Sequence, residues 1–190
     1  ATVTHFPPYR LWAQKVNARG GLNVKGQKRK IKLIEYDDKT NPGETIKAVQ
    51  RLINQDKADF IVGPYGTGFN IATAPIFAKH GYPQFAIAAV TDQVDKLIKR
   101  FPTIFFFLGN TTSYTVSVAE ILAKMVKEGK INNRVAMANV GDTFGIELAN
   151  AARKVFKKYG LNIVYDKSYP LGTQDLTPVI KAAKAAKPDS

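Results

Sequence analysis

The chain has 190 residues, 45% of them hydrophobic, and its 28 lysines and arginines outnumber 15 aspartates and glutamates to give a net charge of +13. That length buries a core as one domain or two small ones, and no apolar run is long enough to span a bilayer. The absence of cysteine excludes disulfides, a thiol nucleophile and a thiolate metal site. A basic excess of this size suits nucleic acid, but no zinc finger, RRM aromatic pair or basic-zipper heptad accompanies it. Lys154, Lys157 and Lys158 fall at helical intervals around Val155 and Phe156, as on the outer face of an amphipathic helix, so no nucleic-acid partner is expected.

Pro7–Arg19 predicts a helix with proline in its first turn, Leu11, Trp12 and Val16 on one side, and Gly20-Gly21 as its stop. Ile31–Tyr36 alternates loosely and reads as a strand. Asp37-Asp38 opens a turn, after which Pro42–Gln55 is a helix with Ile46, Val49, Leu52 and Ile53 inward. Asp59–Val62 is a short apolar strand. The glycine-rich turn Gly63-Pro-Tyr-Gly-Thr-Gly68 follows it, and then a helix to about His80 on which Ile71, Ala74, Pro75 and Ala78 recur at helical spacing. Gln84–Ala89 is strand, with Thr91-Asp92 capping a short helix to Lys99. Thr103–Leu108 reads as a buried strand with no solvent face. Ser113–Glu128 is a helix burying Val118, Ile121, Leu122 and Met125. Arg134–Asn139 is strand, Thr143–Tyr159 helix, Asn162–Tyr165 strand and Asp175–Ala186 helix.

Strands alternating with helices of this length define an α/β fold with parallel sheets and right-handed crossovers. The chain opens on a helix with no strand before it and closes at Lys187-Pro-Asp-Ser190, where a further strand is expected, so the fold is expected to be incomplete at both ends. The polar turn 109–112 is the expected boundary between a first domain over residues 1–110 and the start of a second over 111–190.

The glycine-rich turn is the focus. Strand, turn and helix make half of a βαβ unit, and in open parallel sheets ligands bind at the carboxyl ends of the strands. The helix N-terminus there offers unpaired N–H groups and partial positive charge to a carboxylate or phosphate. The turn is not a phosphate loop: Phe69-Asn70 stands where lysine and a hydroxyl residue are required, and the dinucleotide fingerprint lacks its third glycine. Tyr65 and Thr67 supply an aromatic face and hydroxyls instead, a chemistry for a small organic ligand. His80 at a helix end reads as a favourable charge for the helix dipole. Asp37, Asp38 and Asp142 read as caps, with Asp142 or Phe144 as candidates to face a cleft. No histidine pair or His/Asp cluster has metal spacing, and Ser113, Ser117 and Ser168 have no acid–His partner. Neither a catalytic site, a cofactor nor a metal is expected.

Taken in order, Val16-Asn-Ala-Arg-Gly-Gly21, Ile34-Glu-Tyr-Asp-Asp38 with Asn41-Pro42, Phe60-Ile-Val-Gly-Pro64 with Thr67, Ala74-Pro75, Phe85–Thr91, Val135–Asn139 with Asp142-Thr-Phe-Gly145, and Asp175-Leu-Thr-Pro with Lys187-Pro-Asp189 resemble the solute-binding proteins of branched-chain amino-acid ABC transporters. These are the Leu/Ile/Val-binding-protein-like receptors of the type I periplasmic binding fold. The resemblance runs over essentially the whole chain. It implies two Rossmann-like α/β lobes that close on a small solute, no catalysis, a periplasmic or membrane-associated extracellular location, and a membrane permease as partner. It also implies the ligand contacts. Tyr65, Gly66 and Thr67 match the turn after the third strand, Ala88, Ala89, Val90 and Thr91 match the loop after the fourth, and Phe144 matches the aromatic wall of the second lobe. The acid that grips an ammonium in that family would lie beyond Ser190. The implied ligand is a branched-chain or other amino acid, or an aromatic acid. A nucleotide-dependent enzyme of doubly wound fold and the ligand-sensing domain of a regulator remain alternatives.

Overall fold

The computed structural model describes residues 5–189. In chain order its elements are α1 (Phe6–Ala18), β1 (Leu22–Val24), β2 (Gln27–Arg29), α2 (Pro42–Asn54), α3 (Thr67–His80), β3 (Gln84–Ala86), α4 (Val94–Arg100), β4 (Ile104–Phe106), α5 (Thr111–Lys127), β5 (Arg134–Val140), α6 (Thr143–Lys158), β6 (Asn162–Tyr169) and α7 (Thr177–Ala185). They divide between Asp59 and Phe60 into two compact units. The boundary expected at 110/111 falls inside the second of them.

In the first unit α1 starts without a side-chain cap, with proline in its first turn, whereas α2 starts at a capping residue. The Asn41 side chain accepts from the N–H groups of Gly43 and Glu44 at 2.8 and 3.1 Å and starts α2, with Pro42 fixing the first helical φ. Asp37 and Asp38 serve the expected turn, accepting from Lys39 and Thr40 N–H at 2.9 Å each, but the helix cap read for them falls to Asn41. Two strand assignments differ from expectation. The antiparallel hairpin β1–β2, turning at Lys25-Gly26, lies between the first helix and residue 31, where no strand was expected. Residues 31–36, by contrast, form no ladder, and side chains hold that segment instead. Asn17 pairs with both backbone groups of Ile31, Arg10 clamps Glu35 with its guanidinium, and the Tyr36 hydroxyl donates to Asp56 at 2.8 Å. Alternation alone makes a segment extended; a ladder also needs a neighbouring strand.

The second unit is built on two parallel pairs. In the first, β3 and β4 lie parallel with Phe85 opposite Phe105, and Val62 bridges to Phe85 on the other edge of β3. The expected strand at 59–62 is thus reduced to that single bridge. Ala74 of α3, Ala86, Ala89 and Ile104 are buried together, with Phe101 and Phe106 packed against them. The other side of β4 is open: Phe105 and Phe107 are 49% and 60% exposed, so 103–108 is a two-faced strand and not a fully buried one. In the second pair β5 and β6 run parallel over 134–140 and 162–169. Val135 and Leu161 meet Ala119 of α5 and Ala152, Val155 and Phe156 of α6 in the larger apolar core. Such a core follows from the i, i+3, i+4 spacing of small and large apolar residues on α6. At the outer end of β5, Asp189 N–H donates to Arg134 O at 2.9 Å, and Arg134 in turn donates to the carbonyls of Ala186 and Lys187.

Candidate functional site

The glycine-rich turn takes its shape from two features. Gly66 has φ +106°, a conformation side chains disfavour, and it opens α3 directly, so Thr67 is the first helical residue. Asn70 then reaches back and donates its amide to Pro64 O at 2.7 Å and Gly66 O at 2.9 Å, locking the turn onto the helix. Asn70, Thr73 and Gln84 are all fully buried, and the Gln84 amide donates to Asn70 O at 2.8 Å. The buried face of α3 joins Ala74, one of the apolar residues noted at helical spacing, and Phe77 to a polar stripe of Thr67, Asn70 and Thr73, while Ile71 and Ala78 are half-buried and Pro75 is exposed. The i, i+3, i+6 recurrence of small polar side chains was the available signal. The N–H groups of the first turn lack intrahelical acceptors and carry the positive end of the helix dipole.

Thr67 is spoken for inside the protein. Its hydroxyl donates to Val90 O at 2.9 Å and accepts from Val90 N–H at 3.0 Å, with Thr67 only 1% exposed. A single side chain thus clasps the 88–91 loop to the start of α3. Within that loop Ala89 and Val90 are buried and Ala88 is half-buried. Thr91 is fully buried; it donates to Glu147 Oε2 at 2.6 Å and accepts from Gln93 N–H at 3.1 Å. Gln93 donates its side-chain amide to the other Glu147 oxygen. Tyr65 is 54% exposed at the mouth of the turn.

The N-terminus of α6 comes to the same place. Asp142 caps it, accepting from Gly145 N–H at 2.7 Å, the role its position after a strand suggested. Gly145 is required there: a Cβ would stand 2.1 Å from Val140 O. Phe144 is half-buried in the first turn. Thr143 lies against the start of α3, its Oγ1 2.8 Å from where a Cβ on Gly68 would sit. Two helix N-termini therefore meet, with the 88–93 loop bonded to both. Beside them a cavity of about 280 Å³ is lined by Asp92, Gln93, Thr112, Glu147 and Lys154. Partial burial pushes the Asp92 carboxyl up, but hydrogen bonds from Thr112 N–H at 3.0 Å and its hydroxyl at 2.8 Å outweigh this and hold it below the ordinary range. Sequence reasoning missed Asn70, Gln93 and Glu147; the Glu147 contact spans 56 residues, and nothing local marks it. Among the described residues no three His, Asp or Glu side chains group as metal ligands, and no helix is long and apolar enough to cross a membrane.

Parallel α/β pairs whose strand-end loops and helix N-termini converge define a ligand-binding architecture at the carboxyl edge of the sheets. The family comparison names it: residues 9–190 match the periplasmic binding protein family model. The chain belongs to that family and has its type I fold. An amino acid binding protein of Pseudomonas aeruginosa is 26% identical over 174 residues, which cover 92% of this chain and 44% of that protein. A Leu/Ile/Val-binding protein homologue of Brucella suis is 26% identical over 93% of this chain and 43% of its own length. The chain spans somewhat under half the length of the curated relatives it matches. Among solved structures, a solute-binding protein of an ABC transporter from Rhodopseudomonas palustris BisB5, in complex with 3,4-dihydroxybenzoic acid, superposes with a TM-score of 0.71 at 26% identity, over 93% of this chain and 46% of that one. A branched-chain amino-acid transporter substrate-binding protein of Streptococcus pneumoniae, in complex with isoleucine, has the same fold, with a TM-score of 0.70 at 23% identity over 92% and 47%.

Proposed function

We propose that this chain is part of the solute-binding receptor of an ABC importer. It captures a small carboxylate-bearing ligand between two lobes, residues 1–110 and 111–190 onward, and delivers it to a membrane permease from the periplasm without catalysing a reaction. The observation that carries this reading is the convergence of the α3 and α6 N-termini on the loop 88–93. Two sets of first-turn N–H groups and two positive dipole ends directed at one place suit a carboxylate. Tyr65, Gly66, Thr67, Ala88, Ala89, Val90, Thr91 and Phe144 are the proposed ligand-contact positions. Because the Thr67 hydroxyl already bonds Val90 twice, its part in holding a carboxylate is through the backbone N–H groups of the turn it starts. Tyr65 and Phe144 would cover an apolar or aromatic substituent.

The relatives' ligands define the panel: aliphatic L-amino acids on one side and hydroxybenzoates on the other. Only native-state binding raises the melting temperature, by an amount that grows with ligand concentration. A thermal-shift screen of the intact protein against L-leucine, L-isoleucine, 4-hydroxybenzoate and 3,4-dihydroxybenzoate, with urea, NAD and ATP as controls, should give a shift with one carboxylate class. A shift with NAD or ATP alone would overturn the receptor reading in favour of a nucleotide-dependent protein.

A further inference from the structure

We propose that Glu147 is a positioning residue for ligand capture: it latches α6 to the 91–93 loop and so holds closed the site formed by the α3 and α6 N-termini. This rests on the receptor reading above. Its basis is a set of bonds that no element of either sheet requires. Glu147 lies on the second turn of α6, one turn past Phe144, in the lobe proposed above for residues from 111. Thr91 and Gln93 follow β3 in the lobe proposed for residues 1–110. Each carboxylate oxygen has its own donor, Thr91 Oγ1 at 2.6 Å on Oε2 and Gln93 Nε2 on Oε1. Thr91 is in turn oriented by Gln93 N–H, so both partners of the carboxylate are fixed by one loop. That loop is itself clasped to α3 by Thr67 through Val90. The latch therefore connects helix N-terminus to helix N-terminus through four side chains and one loop.

The chemistry of the pair explains why a carboxylate is needed. Two donors converge on Glu147, and a carboxylate accepts at both oxygens, whereas glutamine turns an amide N–H₂ toward one of them. Bonds to an ionised acceptor are about twice as strong as neutral ones. Lobe closure of this kind trades against release: contacts made only in the closed form slow dissociation and leave the encounter rate unchanged. Lys154, two turns further along the same face of α6, and Asp92, beside Gln93, line the adjoining cavity. Asp92 is already occupied by Thr112. No described cation pairs with Glu147 within 4 Å, so the latch depends on its two neutral donors.

The test has two arms on the intact protein. In the first, without ligand, spin labels at Lys99→Cys and Lys158→Cys report the separation of the two halves of the site. The chain has no cysteine of its own to interfere. Glu147→Ala should shift the distance distribution to longer values, with Glu147→Gln between it and the parent. An unchanged distribution in Glu147→Ala overturns the latch whatever the ligand proves to be. In the second arm, stopped-flow binding of L-leucine and of 4-hydroxybenzoate is measured. Glu147→Ala should release the bound probe about tenfold to a hundredfold faster, as expected for losing two charge-assisted bonds at a half-buried group. Association should change less than twofold, and Glu147→Gln should recover part of the loss. A slower association with normal release would also overturn the latch. If neither probe binds the parent, the receptor reading fails, while the first arm still decides the latch.

Discussion

The Thr67 clasp provides the sharpest quantitative test of how the site is assembled. Thr67→Val keeps the shape of the side chain and removes its hydroxyl, leaving Val90 N–H and Val90 O without the partner they have at 3.0 and 2.9 Å. Thr67 is 1% and Val90 6% exposed, so water does not replace the lost bonds. Each net hydrogen bond is worth about 1 kcal/mol, and each buried polar group left unpaired costs about 1–3 kcal/mol. Val90 retains some freedom at the end of its loop, which argues for the lower end, and a loss of about 3 kcal/mol is expected. For a domain of this size that corresponds to a fall of roughly 6–12 °C in melting temperature. Urea unfolding of the parent, Thr67→Val and Thr67→Ser measures it; serine keeps the hydroxyl and should lie within about 1 kcal/mol of the parent, the cost of a methyl group. If Thr67→Val loses less than about 1 kcal/mol and nevertheless abolishes ligand binding, the hydroxyl acts on the ligand and not on Val90.

Other perturbations separate parts of the fold. Asn41→Ala removes both acceptor contacts at the start of α2 and should cost about 1 kcal/mol in urea unfolding, with Asn41→Asp close to neutral. Gly145→Ala places a methyl group 2.1 Å from a backbone carbonyl and should lower soluble yield and melting temperature sharply. Gly68→Ala meets the Thr143 hydroxyl at 2.8 Å, which can rotate, and the Thr143 Cβ at an ordinary 3.4 Å, and should be far milder in the same assays. The acid limb of stability should reflect two carboxyls. Hydrogen bonds from Arg10 hold Glu35 below its ordinary value, and Asp92 is held down by Thr112 despite the upward push of burial. In both, the folded value lies below the unfolded one, so the unfolded chain takes up the proton first. Their contribution is complete above about pH 4, the unfolded range, and disappears as pH falls through the folded values. Asp92→Asn should flatten part of that decline below about pH 4 in thermal melts; an unchanged slope would refute the assignment.

Helices were legible in the sequence because their signals are local. Asn41-Pro42, Asp142 and the stop at Gly160 each act within one turn, and α2 and α6 begin and end within a residue or two of the expected positions. Strands were less legible, because extended sequence does not show which segment will pair: even the β1–β2 hairpin, with its partners adjacent in the chain, carried no expected strand. The pair β5–β6 appears as expected and longer, whereas 31–36 stays unladdered and 59–62 contributes one bridge. On α3 the apolar spacing located only part of the buried face: Ala74 is buried as the spacing suggested, but beside it lie Thr67, Asn70 and Thr73, whose polar groups are satisfied by Val90, by Gln84, by the turn and by backbone carbonyls of the helix. The glycine-rich turn was legible from its own strand–turn–helix pattern, whereas the 88–91 loop was found through resemblance to a family. Glu147 was found in neither way, since its role arises only when residues 56 apart in the chain meet.

Isothermal titration calorimetry of the intact protein with L-leucine and with 4-hydroxybenzoate tests the central claim most directly. A receptor that closes on its solute should show saturable binding of one of these classes at a single site, with a negative heat-capacity change from burying the ligand's apolar part. Absence of binding to both, together with saturable binding of ATP, NAD or duplex DNA, would contradict it.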